Sequence, residues 1–352
     1  MSLDSIPTSY ATVSLGPPSI PLPHKLSAIS KAGFNGIELG FPDLLSFASS
    51  REKQDVSDHD YDSLCSAAAE VKRICEAEKL KVVMLQPFAN FEGWAEGSKE
   101  RDDAFVRAKG WVRIMQSVGC DMLQVGSSDS PHITSSSSEV ADDLRILCRD
   151  ILAPHGFRLA YENWCWATLA PSWKDVWNIL KLVDQPNVGL CLDTFQTAGG
   201  EWGDPTTKSG LLEEDEKGVR IDGEERAKRF EQSLESLSKE IPADKIYILQ
   251  ISDAYKPPST FSNEPNPPDD SGLRPRGRWS MALRPPPFQG GYLPVTIVAK
   301  AVLRTGFRGW FSMEVFDGGK DGQGREWEKD GELDRYAKGA MESHQTLIHN
   351  CR

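Results

Sequence analysis

Short apolar runs recur along the chain, and a more polar segment follows each of them. The runs are nearly continuous in apolar residues, which is typical of strands buried on both faces of a parallel sheet. Eight such runs are predicted to be strands: residues 10–16, 36–40, 81–87, 121–126, 158–163, 188–194, 246–254 and 309–316.

Segments with helical periodicity separate these runs, and glycine follows several of them, as at Gly119 and Gly156. Strict alternation of eight strands with helices predicts an α/β fold, a (β/α)8 TIM barrel. An open doubly wound sheet is the alternative. The 352 residues are predicted to form one TIM-barrel domain, residues 1–352. The predicted helical segments are residues 24–33, 60–80, 99–119, 137–156, 172–184, 223–241, 293–306 and 332–350.

Two predicted loops are longer than most connections between strands and helices. Residues 199–223 are acidic and glycine-rich, and residues 255–292 are dense in proline. Both loops follow predicted strands, the sixth and the seventh, and so should lie on the face where barrel enzymes place their catalytic groups. We predict that they are either lids over that face or solvated insertions.

Composition narrows the classes of partner. A formal net charge of −12 argues against binding to a nucleic-acid backbone. The sequence contains no apolar stretch long enough for a membrane span, and its N-terminal residues do not resemble a signal peptide, so we expect a cytoplasmic protein that binds no membrane. The seven cysteines contain no C-x-x-C pair and are expected to be free thiols. A homo-oligomer is compatible with all of this.

Polar side chains stand at the ends of the last four predicted strands. These residues are Glu162, Asp193, Gln250 and Glu314. Because the carboxyl ends of barrel strands form one rim, the four side chains are expected to converge on one space. A carboxylate at the end of a buried strand costs free energy unless a positive charge meets it, and a divalent cation would supply that charge.

The predicted ligand set contains three carboxylates and one amide. Such oxygen donors suit Mg²⁺ or Mn²⁺ best, and Co²⁺ or Zn²⁺ would also be accepted. Each acid taken singly could instead cap a helix or pair with an arginine.

The order Glu, Asp, Gln or His, Glu at the ends of strands five to eight is similar to the xylose isomerase-like TIM-barrel superfamily. Within that superfamily, several stretches resemble fungal 3-dehydroshikimate dehydratases, and together they span roughly residues 30–317. The stretches are "GFNGIELGFPDLLSF", "LQPFANFEGW", "QPNVGLCLDTF", "LQISDA", "RWSMALRPPPFQGGYLPV" and "GFRGWFSMEVFD".

The resemblance implies a divalent-metal-dependent lyase that removes water from 3-dehydroshikimate to give protocatechuate. It also implies that Glu162, Asp193, Gln250 and Glu314 hold the cation. A cation on a keto oxygen acidifies the neighbouring C–H and stabilises the enolate that forms, which agrees with this chemistry.

The sequence departs from the family pattern at three positions. Leu169 stands near the place of a histidine that could act as a base, Gln196 replaces the last residue of an Asp-x-x-His motif, and Ala89 replaces an arginine. Glu162 and Glu314 are therefore the predicted general base and acid, as in related isomerases. Glu38 and Glu92 are the second choices for these roles and are predicted to contact the substrate, with a purely structural role as the alternative.

Further substrate contacts are predicted from residue type. Arg278 and Arg284 could bind a carboxylate, or they could simply be surface arginines on a proline-rich loop. Trp164, Trp166 and Trp279 could form an apolar wall against the substrate, although core packing is the more common role of tryptophan. No histidine is predicted to be a ligand.

Three other functions are weighed against this one. A ketose or keto-acid isomerase or epimerase would use the same cation and an enediolate, and the absence of the family's histidine favours it. A barrel that has lost catalysis and only binds a ligand is disfavoured by the intact set of four ligands. An endonuclease is disfavoured by the acidic composition.

Overall fold

A computed structural model describes residues 3–215, 217–263 and 272–352. Eight parallel strands close into a barrel in the order β1-β2-β3-β4-β5-β6-β7-β9, which confirms the predicted TIM barrel and excludes the open sheet. The barrel strands are β1 (Thr8–Ala11), β2 (Gly36–Gly40), β3 (Lys81–Phe88), β4 (Met122–Gly126), β5 (Arg158–Glu162), β6 (Val188–Asp193), β7 (Ile246–Ile251) and β9 (Trp310–Met313).

Helices cover the outside of the barrel, and polar residues cap several of their N-termini. Ser98, Ser172 and Asp222 each accept a hydrogen bond from a backbone N–H in the first turn, which compensates for the carbonyl partner that such a group lacks. The helices are α1 (Leu22–Lys31), α2 (Phe41–Glu52), α3 (Tyr61–Ala77), α4 (Lys99–Val118), α5 (Ser137–Ile146), α6 (Trp173–Val183), α7 (Thr194–Glu201), α8 (Gly223–Glu240), α9 (Pro275–Ala282), α10 (Val295–Arg304) and α11 (Glu332–Asn350). None of the described helices combines the length and hydropathy needed to cross a bilayer.

Side chains on five barrel strands form two layers. A strand has a period of two residues, so residues i and i+2 share a face. Met84, Met122, Ala160, Cys191 and Ile248 form a small buried apolar cluster. Two residues further along each of these strands stand polar residues, which therefore form a second layer nearer the carboxyl ends: Gln86, Gln124, Glu162, Asp193 and Gln250.

Several predicted boundaries differ from those in the structure. The first strand is Thr8–Ala11 rather than 10–16, because the chain turns into a 3-10 helix at Thr12–Ser14. The predicted loop 199–223 begins inside α7, which extends to Glu201. The predicted loop 255–292 contains α9 and the short strand β8 (Leu283–Arg284), and its residues 264–271 lie outside the described part of the chain.

The short strand β8 fixes the position of one side chain at the barrel mouth. It pairs antiparallel with β10 (Phe316–Asp317), which follows the last barrel strand, and Phe316 lies opposite Arg284. Backbone hydrogen bonds from Asp253 to Pro285 and from Tyr255 to Leu283 attach the same segment to the end of β7. Arg284 is thereby held over the ends of the last barrel strands.

Candidate active site

Three of the predicted ligands meet at the carboxyl end of the barrel. Oxygen atoms of Glu162, Asp193 and Glu314 all lie within 4.8 Å of one another, and the three residues are buried. Glu162 and Asp193 end β5 and β6, and Glu314 immediately follows β9. This spacing would let one cation contact all three carboxylates.

A guanidinium group supplies positive charge beside these carboxylates. Arg284 is 1% exposed, and its Nη2 donates to Asp193 Oδ2 and to Glu314 Oε2, the latter at 3.2 Å. Asp193 also caps α7, because its Oδ1 accepts from the backbone N–H groups of Phe195 and Gln196. Pairing with an arginine and capping a helix thus both contribute to stabilising Asp193, in addition to any cation.

One guanidinium does not balance the acids around it. Burial, together with the nearby Asp193 carboxylate, raises the pKa of Glu162 to about 8 and that of Glu38 to about 7. Burial and then the Glu162 carboxylate raise the pKa of Glu314 well above its ordinary value. A second positive charge at this place would allow all of these carboxyls to ionise together.

The hydrogen bonding of Glu162 also leaves one carboxylate oxygen available to a cation. Among the described residues, no donor reaches Oε1 of Glu162, whereas its Oε2 accepts from Gln124 and from the Trp164 indole at 3.1 Å. A buried carboxylate oxygen without a donor is the type of group that a Mg²⁺ or Mn²⁺ ion binds. The donor set therefore fits a divalent cation.

Gln250, the fourth predicted ligand, lies beside these acids. Its Nε2 donates to Glu314 Oε1 at 3.0 Å and to Glu38 Oε2 at 2.8 Å, and its Oε1 accepts from the Cys191 thiol at 3.1 Å. Gln86 donates to the same two glutamates. In this arrangement Gln250 bridges two acids through its nitrogen, and its oxygen would face a cation only after its amide turns over.

A cavity of about 450 Å³ opens above the acids. Trp164 and Trp166 stack along one wall, with ring centroids 5.2 Å apart and an interplanar angle of 19°. Gly126, at the end of β4, permits this wall, because a Cβ there would overlap the Trp164 ring. The cavity is lined by Val13, Pro18, Pro42, Gln86, Pro87, Gln124, Asp129, Glu162, Trp164, Trp166, Gln196, Leu273, Ser280, Met281, Arg284, Glu314 and Phe316.

A larger cavity, of about 670 Å³, lies between α6, α7, α8 and the loop that follows α7. It shares Gln196 with the first cavity but contacts none of the clustered acids. We take the smaller cavity as the candidate site, because the unbalanced carboxylates open into it.

Several predicted substrate contacts lie away from this cavity. Arg278 donates to the carbonyl oxygens of Leu273 and Ser262 in its own loop. Trp279 is fully buried, and its indole donates to the Tyr255 carbonyl. Their contact with a substrate stays a prediction.

The two second-choice glutamates are both buried, in different surroundings. Glu38 accepts from Gln250 and Gln86 beside the acid cluster. Glu92 accepts from the backbone N–H of Ser128 at 2.7 Å and from the Tyr161 hydroxyl at 3.0 Å, and it does not line the cavity. For Glu38 and Glu92, contact with a substrate stays a prediction.

The three residues that depart from the family pattern lie in different parts of the structure. Gln196 lines the cavity, and its Oε1 accepts from the backbone N–H of Cys165 at 2.9 Å. Leu169 is half-buried in the loop after β5 and packs against the core. Ala89 follows β3, and its carbonyl accepts from Arg107. Neither Leu169 nor Ala89 lines the cavity.

The structure adds four polar residues to the predicted site: Gln86, Gln124, Asp129 and Ser280. Asp129 lies in the loop after β4 and accepts from the Trp166 indole at 3.2 Å. For Gln86 and Gln124, the sequence signal was a glutamine two residues beyond a buried methionine on a predicted strand.

Comparison with known proteins agrees with this geometry. A family model described as "Xylose isomerase-like TIM barrel" matches residues 26–336. The chain belongs to this family. The match includes all four predicted ligands, which therefore lie within the family's shared region.

Two relatives similar in sequence are 3-dehydroshikimate dehydratases. The chain is 29% identical over 316 residues to the 3-dehydroshikimate dehydratase of Neurospora crassa, a match that covers 84% of this chain and 81% of that one. It is also 29% identical over 311 residues to the 3-dehydroshikimate dehydratase of Pseudomonas aeruginosa, covering 88% of this chain and 38% of that one.

A solved structure shows the same fold within a longer chain. It is described as a xylose isomerase-like TIM barrel/4-hydroxyphenylpyruvate dioxygenase fusion protein. The superposition has a TM-score of 0.68 at 25% identity and covers 96% of this chain and 42% of the fusion protein. This chain thus spans less than half of two of these three proteins.

Proposed function

We propose that the protein is a divalent-metal-dependent lyase that dehydrates a cyclic hydroxyketone. The reference substrate is 3-dehydroshikimate, the compound that appears in the names of the two relatives. Its dehydration would give protocatechuate. The observation that carries this proposal is the cluster of Glu162, Asp193 and Glu314, which opens into a cavity large enough for a ring. The three carboxylates, with Gln250 beside them, would hold Mn²⁺ or Mg²⁺.

The reaction needs a base at the carbon next to the ketone and an acid at the departing hydroxyl. The base breaks the C–H bond, its electrons move toward the keto oxygen as an enolate, and the hydroxyl then leaves with a proton as water. The ring that remains becomes aromatic by shifting one further proton. When bound, the cation would place positive charge at the keto oxygen and stabilise the enolate.

Glu162 and Glu314 are the proposed base and acid. Both line the cavity floor, where a carboxylate can take up or release a proton at a bound ring. Arg284 keeps Asp193 and Glu314 in place through its paired hydrogen bonds. The stacked Trp164 and Trp166 give the ring an apolar face and exclude water from it.

Ultraviolet absorbance tests the proposal, since the aromatic product absorbs strongly where the substrate does not. Protein stripped with a chelator should produce no aromatic band from 3-dehydroshikimate, and adding Mn²⁺ or Mg²⁺ should restore it. Asp193→Asn should remove the activity, and the matched change Asp62→Asn, at a side chain 88% exposed, should not. Equal rates with and without the cation would refute the metal dependence.

A second function is favoured by one specific observation. No histidine lines the cavity among the described residues, and Gln196 stands where the family pattern often has one. An isomerase or epimerase of ketoses or keto acids needs only two carboxylates to move a proton between carbons. Uptake of deuterium from heavy water into a ketose, without an aromatic band from 3-dehydroshikimate, would support this function instead.

A further inference from the structure

The cavity has a single cationic side chain in its described lining. That residue is Arg284. Its guanidinium already donates to two carboxylates, Asp193 and Glu314, and to the hydroxyls of Ser252 and Ser280. A carboxylate on the substrate would have to compete with these buried partners for the same N–H groups.

The other arginines of the same loop are engaged elsewhere. Arg274 donates to the Trp166 carbonyl and to Thr168 Oγ1, each at 2.8 Å, and Arg276 and Arg278 donate to backbone carbonyls. None of the three lines the cavity. The stretch 264–271, which lies outside the described residues, reads EPNPPDDS and contains no lysine or arginine.

Charge on the cavity floor does not attract an anion either. A divalent cation and Arg284 together would only balance Glu162, Asp193 and Glu314, and Asp129 adds a further negative charge near the Trp166 wall. A carboxylate that leaves water for such a cavity loses hydration, and the one cationic side chain in the described lining is already paired with two carboxylates.

The remaining lining is suited to neutral groups. More than half of the lining residues are apolar, including the stacked Trp164 and Trp166. The uncharged polar groups include three amides, of Gln86, Gln124 and Gln196. Gln124 is 1% exposed, and its Oε1 has no hydrogen-bond partner among the described residues, so it is a ready acceptor for a hydroxyl.

We propose that this cavity selects an uncharged cyclic hydroxyketone over one that bears a carboxylate. The amides recognise its hydroxyl groups, and the two tryptophans pack against its ring or an ester group. The inference rests on the proposed function for the reacting ketone, but the preference for a neutral ligand is a binding property of the cavity. The carboxylate of 3-dehydroshikimate is therefore the part of the reference substrate that fits this chain least.

A matched pair of unreactive ligands measures this preference. Shikimate and methyl shikimate share the hydroxylated ring and differ in the charge of one group, and calorimetry on the Mn²⁺-loaded and metal-free protein gives both affinities. We expect the ester to bind about tenfold more tightly in both states, because a buried charge without a partner is strongly disfavoured. Equal affinities, tighter binding of the acid, or no binding of the ester would overturn the inference.

A variant that adds a cation should weaken the preference. Met281 lines the cavity and is 55% exposed, so Met281→Lys adds a positive charge at the mouth without burying it. We expect the ratio of ester to acid affinity to fall at least about threefold. Val106→Lys makes the same change at a residue that is 54% exposed and does not line the cavity, and it should leave the ratio unchanged.

The two proposals fail in different ways. If the ester binds preferentially but neither 3-dehydroshikimate nor its methyl ester yields an aromatic product, the proposed function fails and the selection of neutral ligands stands. If both are dehydrated and the acid has the higher kcat/KM and binds more tightly, the selection fails and the proposed function stands.

Discussion

Two buried ionic clusters at the carboxyl end of the barrel differ in their balance of charge. In the first, Lys25 of α1 lies 2.7 Å from Asp43 of α2, and both side chains are at most 1% exposed. The ammonium of Lys25 also donates to the carbonyls of Thr12 and Gly16, so all three of its bonds are used. One cation meets one carboxylate, and the pair fixes the loop after β1 against α2.

In the second cluster, one cation meets several carboxylates. Arg284 pairs with Asp193 and Glu314, and Glu162 lies within 4.8 Å of both acids. Lys25 and Asp43 do not line the cavity of the candidate site, whereas Glu162, Glu314 and Arg284 do. Burial alone therefore does not mark function. Uncompensated charge that faces a cavity is the better indicator of function, because it destabilises the fold unless a ligand binds there.

Removing an acid from the unbalanced cluster should have the largest effect, and it should fall on activity. Glu314→Gln is expected to lower kcat about 10³-fold, as loss of a general acid or base does. The melting temperature without a cation should stay the same or rise, because one of several repelling carboxylates is gone. Steady-state rates and thermal melts of the same preparations measure both effects. A variant with near-normal kcat would show that Glu314 takes no part in proton transfer.

Removing the cation from the balanced cluster should lower stability. Lys25→Met leaves Asp43 buried without a partner, which is expected to cost about 3–4 kcal/mol of unfolding free energy in a denaturant titration. The double variant Lys25→Met, Asp43→Leu should recover more than half of that loss. Folded Lys25→Met should still bind one cation per chain. A loss below about 1 kcal/mol would mean that the pair is not what holds this loop.

A divalent cation should stabilise the unbalanced cluster specifically. Mn²⁺ at about a hundred times its dissociation constant is expected to raise the unfolding free energy by about 2.7 kcal/mol. Asp193→Asn should abolish this increase, and Lys25→Met should retain it. Denaturant titrations with and without Mn²⁺ make the comparison. An equal increase in all three proteins would indicate binding elsewhere on the chain.

Glu92 provides the third case, a buried acid whose raised pKa is due mainly to burial. Its pKa is raised to about 7, so its contribution to stability is present below its unfolded pKa and is lost as the pH rises through about 7. Glu92→Gln cannot ionise, and the stability of the wild type relative to this variant should fall by about 2 kcal/mol between pH 5 and pH 8. Melts at both pH values measure the change. A pH-independent difference would show that Glu92 does not titrate in this range.

The sequence was sufficient for the architecture because buried parallel strands produce long apolar runs. All eight predicted strands exist in the structure, and only their ends shifted, as at Thr12–Ser14, where local turn geometry ends the first strand early. The convergence of Glu162, Asp193, Gln250 and Glu314 followed from the same rule, since strand ends in a barrel share one rim.

The rest of the site could not be predicted from local patterns. The position of Arg284 depends on the pairing of β8 with β10, two short strands about thirty residues apart in the chain. Gln124 and Asp129 carry no strong signal in the sequence, because an amide within a strand and an aspartate in a loop are both common. The orientation of Gln250 depends on Glu38 and Glu314, which are far from it in the chain.

Metal content is the most direct test of the account, because its central statement is that Glu162, Asp193 and Glu314 hold one divalent ion. Chelator-stripped protein, incubated with Mn²⁺ and freed of excess metal, is analysed by mass spectrometry together with Asp193→Asn and Asp62→Asn. We predict one ion per chain in the wild type and in Asp62→Asn, and a background level in Asp193→Asn. Background metal in the wild type, or equal metal in all three proteins, would contradict it.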